Sequence, residues 1–548
     1  MITTPSPRMG VRAAPRLAIA AGLVASACVA AIGIAASSAL AINQTNLVGP
    51  AGSGQFGSQA VVLSNGNLVV TDPLWDSPTN TDVGAVYLYN GATHQLISTL
   101  TGSNDNDKVG GSGAREVGSG NFVVMSPTWR NPITAATAAG AVTWVNGTTG
   151  LTGAVAQANS LIGSTANDNV GQSVVMLTNG NYLVIATLWD NIAAANAGAA
   201  AWGSGSSGIA GVMSAANSLV GTTLEDRIGL SFTALTNGNY VVGSSAWNSP
   251  SFADVGAMVW GNGQSSGVRT TGPVTTANSL YGTHAFDNVG TSGALALSNG
   301  NYVVLSPNWD LDNVTQNVGA ATLGNGTSGS AGALAAGNSL HGDASSDRVG
   351  NSGATLTNGN YVVASPDWRS GPNTPGVGAA TWRSGANSAV LTGGSVTAGN
   401  SLIGTTARDM VAQNVIALAN GNYVVGSQFW STPGKEQVGA LTWGSGIAGT
   451  TGVVSTSNSL YGTTAFDHVG ASITPLPDGS YVGRSRDWDN GPIEDAGAAT
   501  WARPNGSTVG EVSPANSLVG DTAHDRVGGE VIVLSNGNYV MSLSLIHI

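Results

Sequence analysis

Short apolar runs alternate with turn-forming residues along most of the chain. In one representative stretch, residues 173–177 are largely apolar, Asn179-Gly180 supplies the positive φ angles of a tight hairpin turn, and residues 182–186 form a second apolar run. A third run spans residues 198–202, and a fourth leads to Asn217-Ser218-Leu219. Apolar residues do not recur at helical spacing and Gly is frequent, so this pattern predicts short β-strands and no helices.

The same unit is repeated along the chain with a mean period of about 59 residues. Its first marker is an Asn-Gly-Asn turn, which begins at Asn65, Asn179, Asn237, Asn299, Asn358, Asn420 and Asn536, with variants at Ser119 and Asp478. Its second marker is Asn-Ser-Leu, followed nine residues after the Asn by Asp168, Asp226, Asp287, Asp347, Asp409, Asp467 or Asp525.

Four antiparallel strands in each repeat predict an all-β fold, and we expect a β-propeller of about eight complete units plus a partial ninth. The repeats are longer than most solenoid coils. The runs are also shorter than the ~9–11 residues that a membrane-spanning strand needs. We expect residues 42–542 to form this repeat domain.

A family resemblance rests on motifs that recur in order. Gly-Ala follows the central loop of all eight complete units, as in Gly84-Ala85, while Phe56-Gly57 and later Val-Gly pairs lie upstream, and Ser126-Pro127 has later counterparts. This pattern resembles the FG-GAP repeat of integrin-α-type β-propellers. It is closer to the Asn-Gly-Asn-Tyr-Val-Val repeats of bacterial haemagglutinin-like exoproteins. The resemblance implies a β-propeller fold in an exported bacterial protein.

Both ends of the chain differ from the repeats. Arg8, Arg12 and Arg16 precede an uncharged run over residues 17–36, and cleavage after Ala41 would complete a secretory signal peptide over residues 1–41. An uncleaved membrane anchor is the alternative for this run.

At the other end, residues 543–548 depart from the repeat and match the translation of a sequencing adapter, so we expect an artefact there. A native anchor or further repeats would then be missing.

Charge excludes some classes of function. Only 8% of the residues are charged and the formal net charge is −12, which leaves little basic surface for nucleic acid. The apolar content of 42% argues against disorder. Cys28, the only cysteine, lies in the predicted signal peptide, so the exported chain would hold no disulfide. We expect a secreted or bacterial cell-surface protein.

The 14 tryptophans occupy two positions of the repeat. The second position, with Tyr87 and Leu323 as substitutes, is expected to pack between repeats. The first position lies where a strand meets a loop, and an exposed indole there could stack on a sugar. The candidates for such ligand-facing indoles are Trp129, Trp189, Trp309, Trp368, Trp430 and Trp488.

The recurring aspartates are interpreted as structural turn residues, because two residues separate each of them from a Gly (from Ala412 after Asp409) and Asp commonly accepts backbone hydrogen bonds in turns. A ring of metal sites is the alternative. Calcium is not expected at the Asn-Gly-Asn turns, where the FG-GAP family often has an acidic loop, since these turns carry no carboxylate. Asp105-Asn106-Asp107 and Asp310-Leu311-Asp312 are better calcium candidates. No cofactor is expected otherwise.

No recurrent catalytic arrangement is visible. The histidines fall at unrelated positions, and the one Gly-x-Ser-x-Gly match, residues 263–267, lies in a Gly-Ser turn instead of a strand-turn-helix elbow. We therefore expect a binding or adhesion module, not an enzyme, with an extracellular glycan or protein as its partner. A structural spacer and a secreted polysaccharide-active enzyme are the alternatives. The segments between the two Trp positions differ strongly among repeats, which favours binding over a uniform spacer.

Overall fold

All regular elements in the described part of the chain are β-strands. The computed structural model describes residues 46–192, 194–265, 269–386 and 393–542. The predicted signal peptide over residues 1–41 and the predicted artefact over residues 543–548 lie outside these ranges. By their contacts, the described residues from Val48 onward form one unit, which holds every described strand. The prediction of an all-β chain without helices is confirmed for the described residues.

Each complete repeat contributes four strands to one antiparallel sheet, in the order in which they follow in the chain. The first strands are Gln59–Val62, Ala114–Val117, Ser173–Met176, Ser231–Ala234, Ala294–Ala296, Ser352–Thr355, Asn414–Ala417, Ser472–Pro475 and Glu530–Val533. The second strands are Leu68–Asp72, Asn121–Ser126, Tyr182–Ala186, Tyr240–Ser244, Tyr302–Ser306, Tyr361–Ser365, Tyr423–Ser427, Tyr481–Ser485 and Tyr539–Ser542.

The third and fourth strands complete eight of the nine sheets. The third strands are Ala85–Tyr89, Ala141–Val145, Ala199–Gly203, Ala257–Gly261, Ala320–Gly324, Ala379–Arg383, Ala440–Gly444 and Ala498–Ala502. The fourth strands are Leu96–Thr101, Ser160–Ile162, Ser218–Val220, Ser279–Tyr281, Leu340–His341, Leu402–Ile403, Ser459–Tyr461 and Ser517–Val519. Among the described residues, the ninth repeat has only its first two strands.

A fifth, two-residue strand links each of the first seven sheets to the next repeat, which the sequence did not predict. These linking strands lie between the third and fourth strands of a repeat, at Gly153–Ala154, Gly211–Val212, Gly272–Pro273, Gly332–Ala333, Gly394–Ser395, Gly452–Val453 and Gly510–Glu511. Each pairs in parallel with the fourth strand of the preceding repeat, as Gly272 does with Leu219. Consecutive repeats are therefore joined by backbone hydrogen bonds as well as by side chains.

The hairpin turns differ in type from the prediction. Gly180 has a φ of 85°, but Asn179 is not left-handed. The Gly180 N–H donates to the Leu177 carbonyl at 3.0 Å, and the Leu177 N–H donates to the Asn181 carbonyl at 2.8 Å. The expectation of positive φ at both Asn179 and Gly180 is wrong, because the loop holds three residues and ends on one left-handed glycine.

The hydrophobic core lies between successive sheets. The second and third strands bury residues on both faces, so every interior sheet contributes side chains to two separate clusters. Val123 and Met125 face the next sheet, where they pack with Tyr182 and Val184 in one cluster. Leu183 and its neighbours face the other way, into the following cluster. Sheets with two apolar faces need a neighbour on each side.

We call the end of the repeats that carries the Asn-Gly-Asn turns the turn edge. At this edge, a backbone carbonyl of one repeat accepts hydrogen bonds from side chains of the preceding repeat. The Gly326 carbonyl accepts hydrogen bonds from Asn237 Nδ2 at 2.8 Å, Asn239 Nδ2 at 2.9 Å and Trp260 Nε1 at 2.9 Å, all in the preceding repeat. The Gly326 N–H donates to Asn301 of its own repeat. A Cβ on Gly326 would lie 1.6 Å from a backbone oxygen, so only glycine fits.

The second tryptophan position belongs to this junction. Indole N–H groups donate to a backbone carbonyl of the next repeat at Trp144, Trp202, Trp260, Trp382 and Trp443. In the first repeat this position is filled by Leu88, which pairs with Val69 as Trp144 pairs with Val123. The expected substitute, Tyr87, is one residue out of register, and it packs against Phe56 instead.

No core cluster of the residues that the structure describes joins the first sheet to the last. Phe56 packs on Tyr87 and Tyr89 at the first sheet, and the two-stranded ninth repeat packs on the eighth. Trp501 of the eighth repeat is 41% exposed, and its indole N–H donates to Ser480 Oγ of its own repeat at 3.1 Å. Eight complete sheets and one two-stranded sheet are thus observed among the described residues, and ring closure is not.

We expect Asn239→Asp to lower the free energy of unfolding by about 1–3 kcal/mol, because the isosteric carboxylate can still accept the hydrogen bond from Gly263 but cannot donate to Gly326. Urea denaturation measures this change. The matched control is Asn538→Asp in the exposed turn of the ninth repeat, which should change stability by less than about 0.5 kcal/mol. Equal effects of the two substitutions would contradict the role of the Gly326 carbonyl.

Candidate functional site

The opposite end of the repeats, which we call the loop edge, carries the loops that differ most between repeats. It consists of the loop from each second strand to the third, which contains the first tryptophan, and the turn from each fourth strand to the next first strand, which contains the recurring aspartate. These two segments are close because antiparallel strands return the chain to the same end of the sheet.

The recurring aspartates hold these two segments together. Asp226 Oδ2 accepts the N–H groups of Thr222 and Thr223 at 2.7 and 2.8 Å, and Asp226 Oδ1 accepts the N–H of Asn248 at 3.0 Å. The residue after the first tryptophan donates in the same way at Asp107, Asp168, Asp287, Asp347, Asp409 and Asp467. Asp525 accepts two N–H groups from its own turn. This is the geometry of a structural turn.

Burial and neighbouring charge shift the titration of four of these carboxyl groups. Desolvation raises the pKa of Asp287, Asp347 and Asp409, although backbone N–H groups oppose the shift. It raises the pKa of Asp467 to about 6, and the charge of Asp489 adds to this shift.

The candidate ligand-facing tryptophans lie in the interior. Exposed fractions are between 1% and 5% at Trp129, Trp189, Trp309, Trp368, Trp430 and Trp488. Trp309 packs edge-on against His341, and Trp430 packs edge-on against Tyr461, with ring centroids 6.2 and 6.3 Å apart. The expectation that these indoles present a face to a ligand does not match the structure, because the end of the fourth strand and the turn after it cover them.

A cleft recurs on the loop edge at three junctions between repeats. Each is lined by the turn after the fourth strand, by the first-position tryptophan with its loop, and by residues after a linking strand. The volumes are about 170 Å³ beside Trp247, about 490 Å³ beside Trp368 and about 820 Å³ beside Trp430. The same backbone frame therefore surrounds clefts of different size, and the variable loop makes the difference.

Non-glycine residues in the left-handed region flank Asp107 and each of the recurring aspartates. The residue before the Asp has a φ between 62° and 69°, as at Phe286, Ser346, Arg408 and Phe466. The residue after it has a φ between 45° and 50°, as at Arg348. Such backbone is unfavourable for residues with a Cβ and concentrates at functional positions. It turns the flanking side chains outward, and Phe286 and Phe466 are 63% and 51% exposed.

Arginines line a further cleft of about 410 Å³ on the loop edge, between the sixth and seventh repeats. Its walls include Arg348, Arg369 and Arg408, with Asp367 as the carboxylate among them. The sequence reasoning missed this cluster. Its signals were the Asp347-Arg348 pair, the Trp368-Arg369 pair and Arg408 in a chain with only 17 lysines and arginines.

The carboxylates expected to be calcium candidates close loops in this structure. Asp107 is fully buried and accepts the N–H groups of Ser103, Asn104 and Arg130. Asp310 Oδ1 accepts the Asn317 N–H at 2.6 Å. Over the described ranges, no group of three or more His, Cys, Asp or Glu side chains has the arrangement of a metal site.

The described residues also contain no helix with the length and apolar character needed to span a bilayer. The apolar run over residues 17–36 lies outside them.

A family model described as "Repeat of unknown function (DUF5650)" matches eight segments: 62–111, 116–172, 176–230, 234–291, 296–351, 355–413, 417–471 and 475–529. Its description carries neither the FG-GAP nor the haemagglutinin name. A comparison with curated proteins gives no match.

Among solved structures, the chain is similar to a crystal structure of the GH74 enzyme of Niastella koreensis. The two share 15% identity with a TM-score of 0.22, over 81% of this chain and 54% of that one. The chain thus spans about half the length of that protein, and a likeness at this TM-score establishes neither a shared fold nor a shared activity.

We expect the free energy of unfolding to rise when the pH falls from about 7 to about 5.5. In the unfolded chain Asp467 titrates near 3.8, whereas in the folded chain its pKa is about 6, so the folded state takes up the proton first. The desolvation cost is fully present above pH 6 and is relieved below it. Urea denaturation at both pH values measures this, and Asp467→Asn should reduce the dependence. Stability that is constant or falls on acidification would contradict the expectation.

Proposed function

The chain belongs to this family of tandem repeats, and we propose that it is an exported bacterial binding module that acts in adhesion at the cell surface or outside the cell. The observation that carries the proposal is the recurring cleft of the loop edge. Its frame is constant, because a buried aspartate ties the tryptophan loop to the preceding turn at each junction. Its size and lining vary.

A constant frame with variable loops is the usual way in which a rigid scaffold carries binding residues. The variable loops keep a common backbone even where their sequences differ. Thr432 bridges Lys435 in the seventh repeat as Asn490 bridges Ile493 in the eighth. Side chains can therefore change without loss of the loop's shape, which suits recognition of a ligand better than a uniform spacer.

The resemblance to haemagglutinin-like repeats supports an adhesive role, and the predicted signal peptide supports export. We further propose that the sheets are arranged like the blades of a propeller, since antiparallel four-stranded sheets packed face to face are the unit of that architecture. The ligand is an extracellular glycan or protein that rests on the loop edge.

Binding of the full chain to a panel of immobilised polysaccharides and extracellular-matrix proteins tests the proposal. We expect saturable retention on at least one member of the panel. Retention on none, by a protein with an intact β-sheet circular dichroism spectrum, would overturn the proposal. Release of soluble sugar from a polysaccharide would instead establish the enzyme alternative.

A loop graft tests whether the largest of the three recurring clefts takes part. Replacing residues 432–436 with the sequence of residues 490–494 keeps the loop length and the backbone bridge but changes the lining of the cleft beside Trp430. We expect at least about tenfold weaker binding to the retained ligand if this cleft holds it. The control is Ile447→Ala, which removes an exposed side chain from the turn edge of the same repeat and should leave binding unchanged.

A further inference from the structure

Cations that directly follow Asp107, Asp226 and Asp525, which occupy the same position of the repeat, are neutralised by a neighbouring carboxylate. Arg227 Nε lies 2.6 Å from Glu225, and hydrogen bonds from Asn196 and Arg227 lower the pKa of that carboxyl group. The equivalent cations pair with a carboxylate at 3.9 Å in Lys108–Asp82 and at 2.9 Å in Arg526–Asp495. At each of these three positions, a neighbouring carboxylate of the loop edge neutralises the cation.

Arg348 occupies the same position in the sixth repeat without such a partner. Where the other repeats place Glu225 or Asp495, this repeat has Ser346 and Asn317, as the backbone hydrogen bond from Arg348 to Asn317 shows. Among the described residues, neither Arg348 nor Arg408 forms an ion pair with a carboxylate. Both side chains are exposed.

A third arginine is fixed in the wall of the same cleft. Arg369 Nε lies 3.3 Å from the buried carboxylate of Asp347, and Arg369 Nη2 donates to the Ser345 carbonyl at 2.6 Å. The lining of this cleft contains three arginines, Arg348, Arg369 and Arg408, and one carboxylate, Asp367. Its net charge is therefore positive, although the net charge of the chain is −12. Arginine offers paired N–H donors that match the oxygens of a carboxylate or sulfate.

Aromatic side chains continue from this cleft into the next repeat. Arg408 also lines the cleft of about 820 Å³ beside Trp430, which Phe429 lines as well. The His468 ring lies 5.9 Å from Phe429 and 6.2 Å from Phe466, measured between ring centroids. Phe429 is half-buried and Phe466 is exposed, and aromatic rings next to cationic side chains provide an apolar surface for sugar rings beside donors for their acidic groups.

We propose that the cleft formed by Arg348, Arg369 and Arg408 binds the carboxylate or sulfate groups of an acidic polysaccharide, whose sugar rings extend towards Phe429 and Phe466. The inference rests on the proposed binding function and assigns it a class of ligand and a place. Nucleic acid is a poorer fit, because three arginines in an acidic protein do not offset the repulsion of a dense row of phosphates.

The test measures binding of the full chain to polygalacturonate, dextran sulfate, neutral dextran and duplex DNA by affinity electrophoresis. We expect the protein to bind polygalacturonate, dextran sulfate or both more tightly than dextran. Binding should weaken between about 50 and about 200 mM salt. The carboxylated and the sulfated polymer distinguish the two sources of the acidic group.

The decisive variant is Arg348→Gln with Arg408→Gln, since both side chains are exposed and unpaired and their loss should not change the melting temperature. We expect this double variant to bind the acidic polymer at least about tenfold more weakly. Arg227→Gln, at the equivalent position of the fourth repeat, is the matched control and should change binding by less than about twofold.

Other outcomes separate this inference from the proposed function. Retention on neutral polysaccharides or on a protein alone would overturn the arginine site and leave the binding module standing. Equal losses in the double variant and in Arg227→Gln, or DNA binding that depends on Arg348 and Arg408 at equal strength, would also overturn the arginine site. Retention on none of the polymers or proteins would overturn both.

Discussion

The structure depends on burial of both faces of every interior sheet. Strands such as Tyr182–Ala186 carry apolar side chains on alternate sides, so one sheet of this kind cannot be stable in water alone. Each face is covered by the adjacent repeat, and the resulting core is a series of clusters between neighbours instead of one central core. Stability then comes from interfaces between adjacent repeats, which allows many near-identical units to be stacked.

The two edges of the repeats have different roles. The turn edge holds adjacent sheets in register, and the loop edge presents the variable loops. At the turn edge, a carbonyl such as that of Gly326 accepts up to three side-chain N–H groups from the preceding repeat, so the Asn-Gly-Asn turn and the second tryptophan hold adjacent sheets in register. Asparagine is needed there as a donor, which an aspartate in a calcium loop could not replace. At the loop edge, the buried aspartate satisfies the backbone of two segments at once, and the loop between them is free to vary.

The left-handed backbone and the charged side chains of the loop edge are consistent with a role of this edge in binding. Left-handed non-glycine residues lie on both sides of each recurring aspartate and project their side chains from the frame. Most cations that are projected in this way are neutralised by a neighbouring carboxylate, as Arg227 is by Glu225. Arg348 and Arg408 are exceptions, and they lie beside Arg369 in one cleft. The equivalent cations of other repeats have a carboxylate partner, whereas, among the described residues, Arg348 and Arg408 at this junction form no ion pair with a carboxylate.

The repeat, its four main strands and the positions of its turns could be predicted from the sequence, because they follow from local alternation and from residues such as Gly180 that few others can replace, whereas the type of the hairpin turn could not. It also marked the aspartates as turn residues from their spacing to the next glycine. The burial of the first set of tryptophans follows from contacts in the folded chain, since Trp129, which the sequence left as a candidate ligand-facing residue, is as fully enclosed as Trp260. The linking strands and the arginine cleft also depend on contacts between repeats, which no window of one repeat contains.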